Sequence, residues 1–541
     1  MDEFSDEEKA QLKPFVTNLD KPVFALLNLP EVVKGALFSR YSRSSKSLRR
    51  VLLDEFMLSE ELGLKEMLKD APKESKEKDI VQTRKAEEFY ERVLVGYGDD
   101  SVAELAGAHI ALEDISIMAT KIVEDARIGL SPLEKSTRYV YFDNKDQDGK
   151  WRYHREKTIM GSEFKELYEK TCDHCFETYA SLIPKISSFV MERAPQDDKT
   201  SERAYKSAIR AKTCDILRGL LPASTKTNMG FFGDGRAFEY LITRMYADDL
   251  AEIQDLASSM QQELTYVIPS FVRRASGIYG QSMQDYIRKT RTDMGQTVAN
   301  PKFLGASGGE LVSLVEYDKD AERKILVAAL YPLLQKPAEE IGKIVDRMSE
   351  EEKAKVIKSY INERGNRRHR PGRAFEHAYY TFDICANFGA YRDLHRHRIL
   401  TQQRQELTPY LGFKMPGEIV EAGYESEFKD AMEQAKNAYG QIAKRYRVQA
   451  QYVVPLAYNI RWYMMLNLRE AYHMLELRSS MQGHADYRDV AKKMFLEIEK
   501  VHPNLAGGMT FMDMKDYQLE RLESEKRIDI RLEEITKRKG G

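Results

Sequence analysis

Residues 374–411 read AFEHAYYTFDICANFGAYRDLHRHRILTQQRQELTPYL, and residues 451–478 read QYVVPLAYNIRWYMMLNLREAYHMLELR. A looser version of the same pair comes earlier, as VAELAGAHIALEDISIMATKIVEDARIGLSPLEKSTRYV at 102–140 and DILRGLLPASTKTNMGFFGDGRAFEYLITRM at 215–245. Pro222 stands fourteen residues before Arg236, and Pro455 stands fourteen before Arg469. A fixed internal spacing of this kind predicts tandem duplication. The polar, Gly-rich stretch 277–310 is read as the boundary, giving a first unit at 1–290 and a second at 310–541.

Composition agrees with two units. A chain of 541 residues exceeds one ordinary domain, and its 42% hydrophobic and 31% charged residues can bury a core and keep a hydrated surface. The formal net charge of −2 gives no general attraction to nucleic acid. No apolar run approaches the roughly 20 residues that span a bilayer, and the acidic start MDEFSDEEKAQLK does not resemble a signal peptide. Four cysteines fit a reducing, cytoplasmic setting without a disulfide framework. The Cys172/Cys175 pair has no second pair to complete a zinc site and is read as structural; no metal is expected.

Apolar spacing predicts helices over 163–190, over 201–221 with Pro222 as the stop, and over 235–270. Residues 100–140 read as a long helix followed by a loop, 376–398 as one helix, and 141–160 as an exposed excursion or hairpin. Around 311–331 the pattern is strand-like and then helical. The charged tail from Tyr517 reads as a solvated helix for packing or oligomerisation. No phosphate-loop motif is present.

Chemistry concentrates in the second copy. Arg396, His397 and Arg398 are consecutive basic side chains beside His395, with Asp393 the nearby acid. Such crowding is unfavourable unless an anion or an electron-rich ring is bound. Glu376 and His377 lie upstream, and Asn467, Arg469, His473 and Arg478 follow within a largely apolar segment. The run NERGNRRHRPGR at 362–373 reads as a solvated or phosphate-facing loop, with nucleic acid an unlikely partner.

These residues resemble the flavin-dependent thymidylate synthases, whose signature is RHRxxSxxExSxRY. Arg396 to Arg398 meet RHR, Thr401 takes the first Ser position, Glu376 and His377 meet the family's EH, and Asn467 and Arg469 its NxR. Arg478 resembles the pyrimidine-contacting arginine and His484 the histidine after it. The second copy then departs, with Arg404, Glu406 and Thr408 in place of Glu, Ser and Arg, and Gln451 in place of the phosphate-binding arginine. The first copy is complementary. It keeps Ser131, Glu134, Ser136, Arg138, Tyr139 and Arg218, but has Ala126, Arg127 and Ile128 for RHR and Met245 for the pyrimidine arginine.

The resemblance implies a mixed α/β (α+β) fold of two tandem units, each a mixed sheet with long helices. It implies reductive methylation of dUMP to dTMP, with FAD as cofactor and methylenetetrahydrofolate and NADPH as co-substrates. Glu134, Ser136, Arg138, Arg218, Arg396 and Arg478 are expected to hold substrate. Ser101, Glu134, Arg396, His397, Arg398, Asn467, Arg469 and His473 are expected to hold the flavin, with Arg396, His397 and Arg478 catalytic. Family sites assemble across subunits, so a first half and a second half would share each working site, and a homodimer would form a pseudo-tetramer. The alternatives are a related pyrimidine-nucleotide methyltransferase or hydroxymethyltransferase, or a degenerate homologue that only binds nucleotide or flavin.

Overall fold

The computed structural model describes residues 3–57, 100–299 and 308–539. The described part of the first copy includes strand β1 (Gly107–Ser116), helix α1 (Ile117–Glu124) and strand β2 (Leu130–Glu134). Helices α2 (Lys165–Arg193) and α3 (Glu202–Leu217) come next. Strand β3 (Lys226–Asp234) runs into α4 (Gly235–Tyr246), followed by α5 (Ala251–Thr265) and α6 (Ile278–Val298). The second copy opens with β4 (Val312–Tyr317) and α7 (Ala321–Leu330). Its counterpart of the first motif is β5 (Tyr379–Asn387), α8 (Phe388–Leu394) and β6 (Leu400–Arg404). Then come α9 (Glu425–Ile442), β7 (Asn459–Asn467), α10 (Leu468–Arg478), α11 (Ala485–Val501) and α12 (Leu522–Lys539).

The sheets have the same logic. One is ordered β1-β3-β2 and the other β4-β5-β7-β6, so β5, β7 and β6 repeat β1, β3 and β2. Even the antiparallel register is kept. Leu130 faces Gly233 as Leu400 faces Leu466, and Glu134 faces Met229 as Arg404 faces Trp462. The proline spacing in the sequence thus reflects a duplicated topology in a mixed α+β chain.

The compact units cut across the copies. One comprises Met1–Ile115, Ala119–Lys135 and Thr227–Leu304; the other comprises Ser116–Met118, Ser136–Lys226 and Gly305–Gly541. The second unit therefore joins the middle of the first copy to the whole second copy. Inside it a lone antiparallel bridge pairs Pro222 with Pro455. Ala223 N donates to Val454 O and Leu456 N to Leu221 O, both at 2.9 Å. Farther out, Ser224 N donates to Tyr452 O at 3.0 Å and Ala457 N to Gly219 O at 2.9 Å. Each bond has its counterpart with the copies exchanged, as in an isologous contact around a local two-fold axis.

Four local readings are corrected. Residues 376–398 are not one helix. Tyr380, Phe382, Ile384 and Ala386 are buried at period two on β5, and a helix begins only when Asn387 caps it through Ala390 N at 2.8 Å. Residues 100–140 likewise hold β1, α1 and β2 in place of a long helix. The 141–160 segment contains no hairpin; Trp151 and Tyr153 turn inward, and Tyr153 bridges Thr225. The Gly-rich stretch is mostly α6, exposed on nearly all sides, so it carries no apolar period to read.

Candidate functional site

The second-copy residues are positioned by the junction of β7 and α10. Asn467 ends the strand and caps the helix, its Oδ1 accepting from Glu470 N at 2.9 Å. Glu470 is buried on the first turn and accepts from His397 Nδ1 at 2.7 Å. Arg478, at the last turn of α10, donates from Nε to His397 Nε2 at 3.0 Å. With Nδ1 donating and Nε2 accepting, His397 is held as one neutral tautomer. His473 meets the His397 ring edge to face at 5.5 Å, and Arg370 Nη2 contacts His473 Nε2 at 3.2 Å. Burial lowers His473 to about 4, Glu470 opposing only in part. His397, Glu470 and His473 offer ligand atoms within 4.8 Å of one another, but guanidinium groups face both imidazole Nε2 atoms. That setting suits an electron-rich or anionic ligand better than a cation.

The first-copy residues join this site through α3 and the loop after β2. Arg138 grips Asp215 with Nε and Nη2 at 2.7 and 2.6 Å, while Nη1 donates to Tyr487 Oη at 3.1 Å. Burial would raise the Asp215 carboxyl, but Arg138 outweighs it and holds the acid well below the usual range. Arg218, just after α3, is 4% exposed and donates from Nη1 to Asp393 at 3.2 Å. Its buried Nη2 has no hydrogen-bond partner among the described residues. Gly389 allows this fit, since a Cβ there would lie 3.2 Å from Arg218 Nη2.

The structure thus brings together Arg138, Arg218, His397 and Arg478 within one compact unit. Arg396 is close enough for its charge to act on both Asp393 and Arg478, and His473 completes the His397 cluster. Ser136 lies beside Arg138, its Oγ accepting from Arg138 N at 3.2 Å. The other expected residues are placed as follows. Arg469 is held by Pro371 O at 2.8 Å and Glu376 at 3.2 Å, and Arg398 is exposed. Glu134 belongs to the other compact unit, where it is buried and accepts from Lys121 at 2.9 Å and Thr120 at 3.1 Å. The side chain of Ser101 lies outside the described residues. His484 caps α11 by accepting from Asp486 N at 3.1 Å, and its Nε2 donates to Asp215 O at 3.0 Å.

Asp215, Glu470 and Tyr487 were missed by sequence reasoning, and Asp393 was read only as the acid beside the basic run. The only available signals were an acid inside the apolar stretch around Ile216 and another beside a basic run. Of the basic loop at 362–373, Arg364 is paired with buried Glu476, Arg370 contacts His473 and Arg373 pairs with Glu376. Cys172 and Cys175 are buried on α2, and burial pushes Cys175 up to about 12.

The substituted positions are also internally satisfied. Gln451, which stands where Arg218 stands in the first copy, accepts from Leu407 N at 2.9 Å and donates to Val448 O at 3.1 Å. Met245, the counterpart of Arg478, is 1% exposed and part of an apolar core.

A duplicated strand-helix unit, with arginines from both copies converging on histidines from the second, defines the class of protein. The sequence profile of the thymidylate synthase complementing protein family (Thy1) matches residues 56–270 and again 313–504, and the chain belongs to that family. Full-length relatives are the UPF0159 proteins of Chlamydia muridarum, 44% identical over 97% of this chain and 98% of the relative, and of Thermoplasma acidophilum, 34% identical over 92% and 99%. The flavin-dependent thymidylate synthase of Sulfurisphaera tokodaii is 26% identical over 36% of this chain and 75% of its own length. A solved UMP/dUMP methylase from Streptomyces cacaoi, bound with 5-Br dUMP, aligns at 18% identity and TM-score 0.29, covering 39% of this chain and 98% of that one. Among the described residues no helix is long and apolar enough to cross a membrane.

Proposed function

We propose that this chain is a flavin-dependent thymidylate synthase that methylates dUMP to dTMP with methylenetetrahydrofolate as carbon donor. The observation that carries the reading is the convergence, in one unit, of Arg138 and Arg218 from the first copy with Arg396, His397 and Arg478 from the second.

The donor set fits a nucleotide and a flavin. Arg218 presents a buried Nη2 that lacks an acceptor among the described residues, as a phosphate oxygen would supply. Arg138 is committed to Asp215 and Tyr487, so its part is to hold the wall of the site in place. Arg478, kept in orientation by His397, would stabilise negative charge on the uracil ring nitrogen and oxygen as electron density moves toward carbon 5. His473, neutral above about pH 4, would offer an uncharged imidazole to a flanking ring. Arg396, His397 and His473 are the residues that would hold FAD, which when bound and reduced by NADPH supplies the hydride.

A purified protein that is yellow, oxidises NADPH faster with dUMP present, and converts dUMP to dTMP with the folate would support this. Colourless protein that gains no flavin on addition of FAD, and fails to rescue a thymidine auxotroph, would overturn it. Chromatography of the product distinguishes thymidylate from a hydroxymethylated nucleotide.

A further inference from the structure

The arginine cluster contains a carboxylate of its own. Asp393 on α8 accepts from Arg218 Nη1 at 3.2 Å, and its side chain keeps 18% of its surface accessible. Burial would raise its carboxyl, but Arg218, Arg396, Arg138 and Arg478 outweigh that and hold it far below the usual range, so it stays ionised at any working pH. Arg218 is thereby divided: Nη1 serves the protein's own anion, and the buried Nη2 next to it is without a hydrogen-bond partner among the described residues.

An incoming phosphate that takes Nη2 must settle on the same guanidinium as Asp393, with two like charges a few ångströms apart. Arg138, the other arginine expected at the phosphate, is already neutralised by Asp215. The cluster therefore orders its arginines without ligand and meets a dianion with partial repulsion.

We propose that Asp393 is an internal counter-ion that competes with the nucleotide phosphate for Arg218, a specificity residue that weakens the hold on a phosphate dianion and speeds nucleotide exchange. The proposal rests on the nucleotide reading of the site. Its chemistry is that of a phosphate monoester, and a ligand of lower charge, such as a phosphate diester, escapes most of the penalty.

Asp393→Asn removes the charge and keeps an oxygen for Arg218, so the pocket retains its shape. Titrations of wild type and variant with inorganic phosphate, dUMP and 2′-deoxyuridine test it. Phosphate and dUMP should bind the variant at least about tenfold tighter, with slower dUMP release, while uncharged deoxyuridine binds both proteins alike. Equal or weaker phosphate binding by the variant overturns the proposal, as does a parallel change for deoxyuridine, which would mark a structural role. A wild type that binds phosphate but neither nucleotide nor nucleoside discards the nucleotide reading and leaves the competition testable with phosphate alone. Loss of binding by both proteins to all three ligands removes both ideas. Wild type also gives a measurement that needs no variant: the 5′-methyl ester of dUMP, a monoanion, should bind at least as well as dUMP itself, and a clear preference for the dianion counts against Asp393 as competitor.

Discussion

Arg138 and Asp215 meet through two parallel hydrogen bonds, Nε to Oδ1 and Nη2 to Oδ2, and the equivalent positions in the second copy are Thr408 and Val448. The charged pair exists whole in one copy and is wholly replaced in the other. That is the pattern expected when a lone buried charge costs more than the pair or its apolar substitute. Arg138→Thr should lower the unfolding free energy by about 3–5 kcal/mol, whereas Arg138→Thr with Asp215→Val should recover most of it. Chemical denaturation of the three proteins checks this, and a double variant no more stable than the single one would refute it.

Arg478→Met installs the residue that the first copy carries. Because Met245 is tolerated in the same helical position, the fold should survive with little change in melting temperature. His397 Nε2 loses its donor and the ring loses its stabilising charge, so dTMP formation at saturating substrate should fall at least about a hundredfold. Arg236→Ala is the contrasting change. Arg236 is an exposed partner of Glu104 at 2.8 Å, and its loss should shift stability by less than about 1 kcal/mol and leave the rate unchanged.

Stability should fall on mild acidification. Burial, then the charge of Arg218, lowers His484 from 6.5 to about 4, so between those values the unfolded chain binds a proton that the folded chain refuses. The contribution is complete above about pH 6.5 and is lost progressively toward pH 4, amounting to about 3 kcal/mol. His473, lowered by burial to about 4, adds a contribution of the same sign in the same window, while Asp215 and Asp393 begin to lose theirs only at its lower end. His484→Asn, which keeps a capping oxygen for α11, should make the dependence measured by denaturation at pH 7, 6, 5 and 4 shallower, leaving the share that His473 supplies.

Gln451→Ala would strip Leu407 N of its acceptor in a buried loop. A loss of about 1–3 kcal/mol is expected, with no change in nucleotide affinity. A measurable change in affinity would mean that the glutamine does more than close the space an arginine once filled.

The chemistry was more legible in sequence than the strands. RHR at 396–398 and the arginine four residues before Pro222 announce themselves by type and spacing. β5, β7 and β3 each run into a helix at Asn387, Asn467 or Asp234, and the first two junctions have no glycine or proline immediately beside the cap to mark the change of period. The capping side chain was the one local sign, and it was read as a ligand in Asn467. Asp215 escaped, and the partner of Asp393 with it, because the paired residues lie 77 and 175 residues apart. Pairing over such distances is fixed by topology and leaves no mark on neighbouring residues.

The packing of Ser136–Lys226 with Gly305–Gly541 has a consequence for assembly. Were the two copies separate polypeptides, Arg218 would reach Asp393 only after a bimolecular encounter, and dilution would take the pair apart. Within one chain the encounter is intramolecular, at an effective concentration on the order of millimolar. The pairing of unlike halves is therefore favoured by translation itself, and each copy could shed the residues its partner supplies without waiting on expression level.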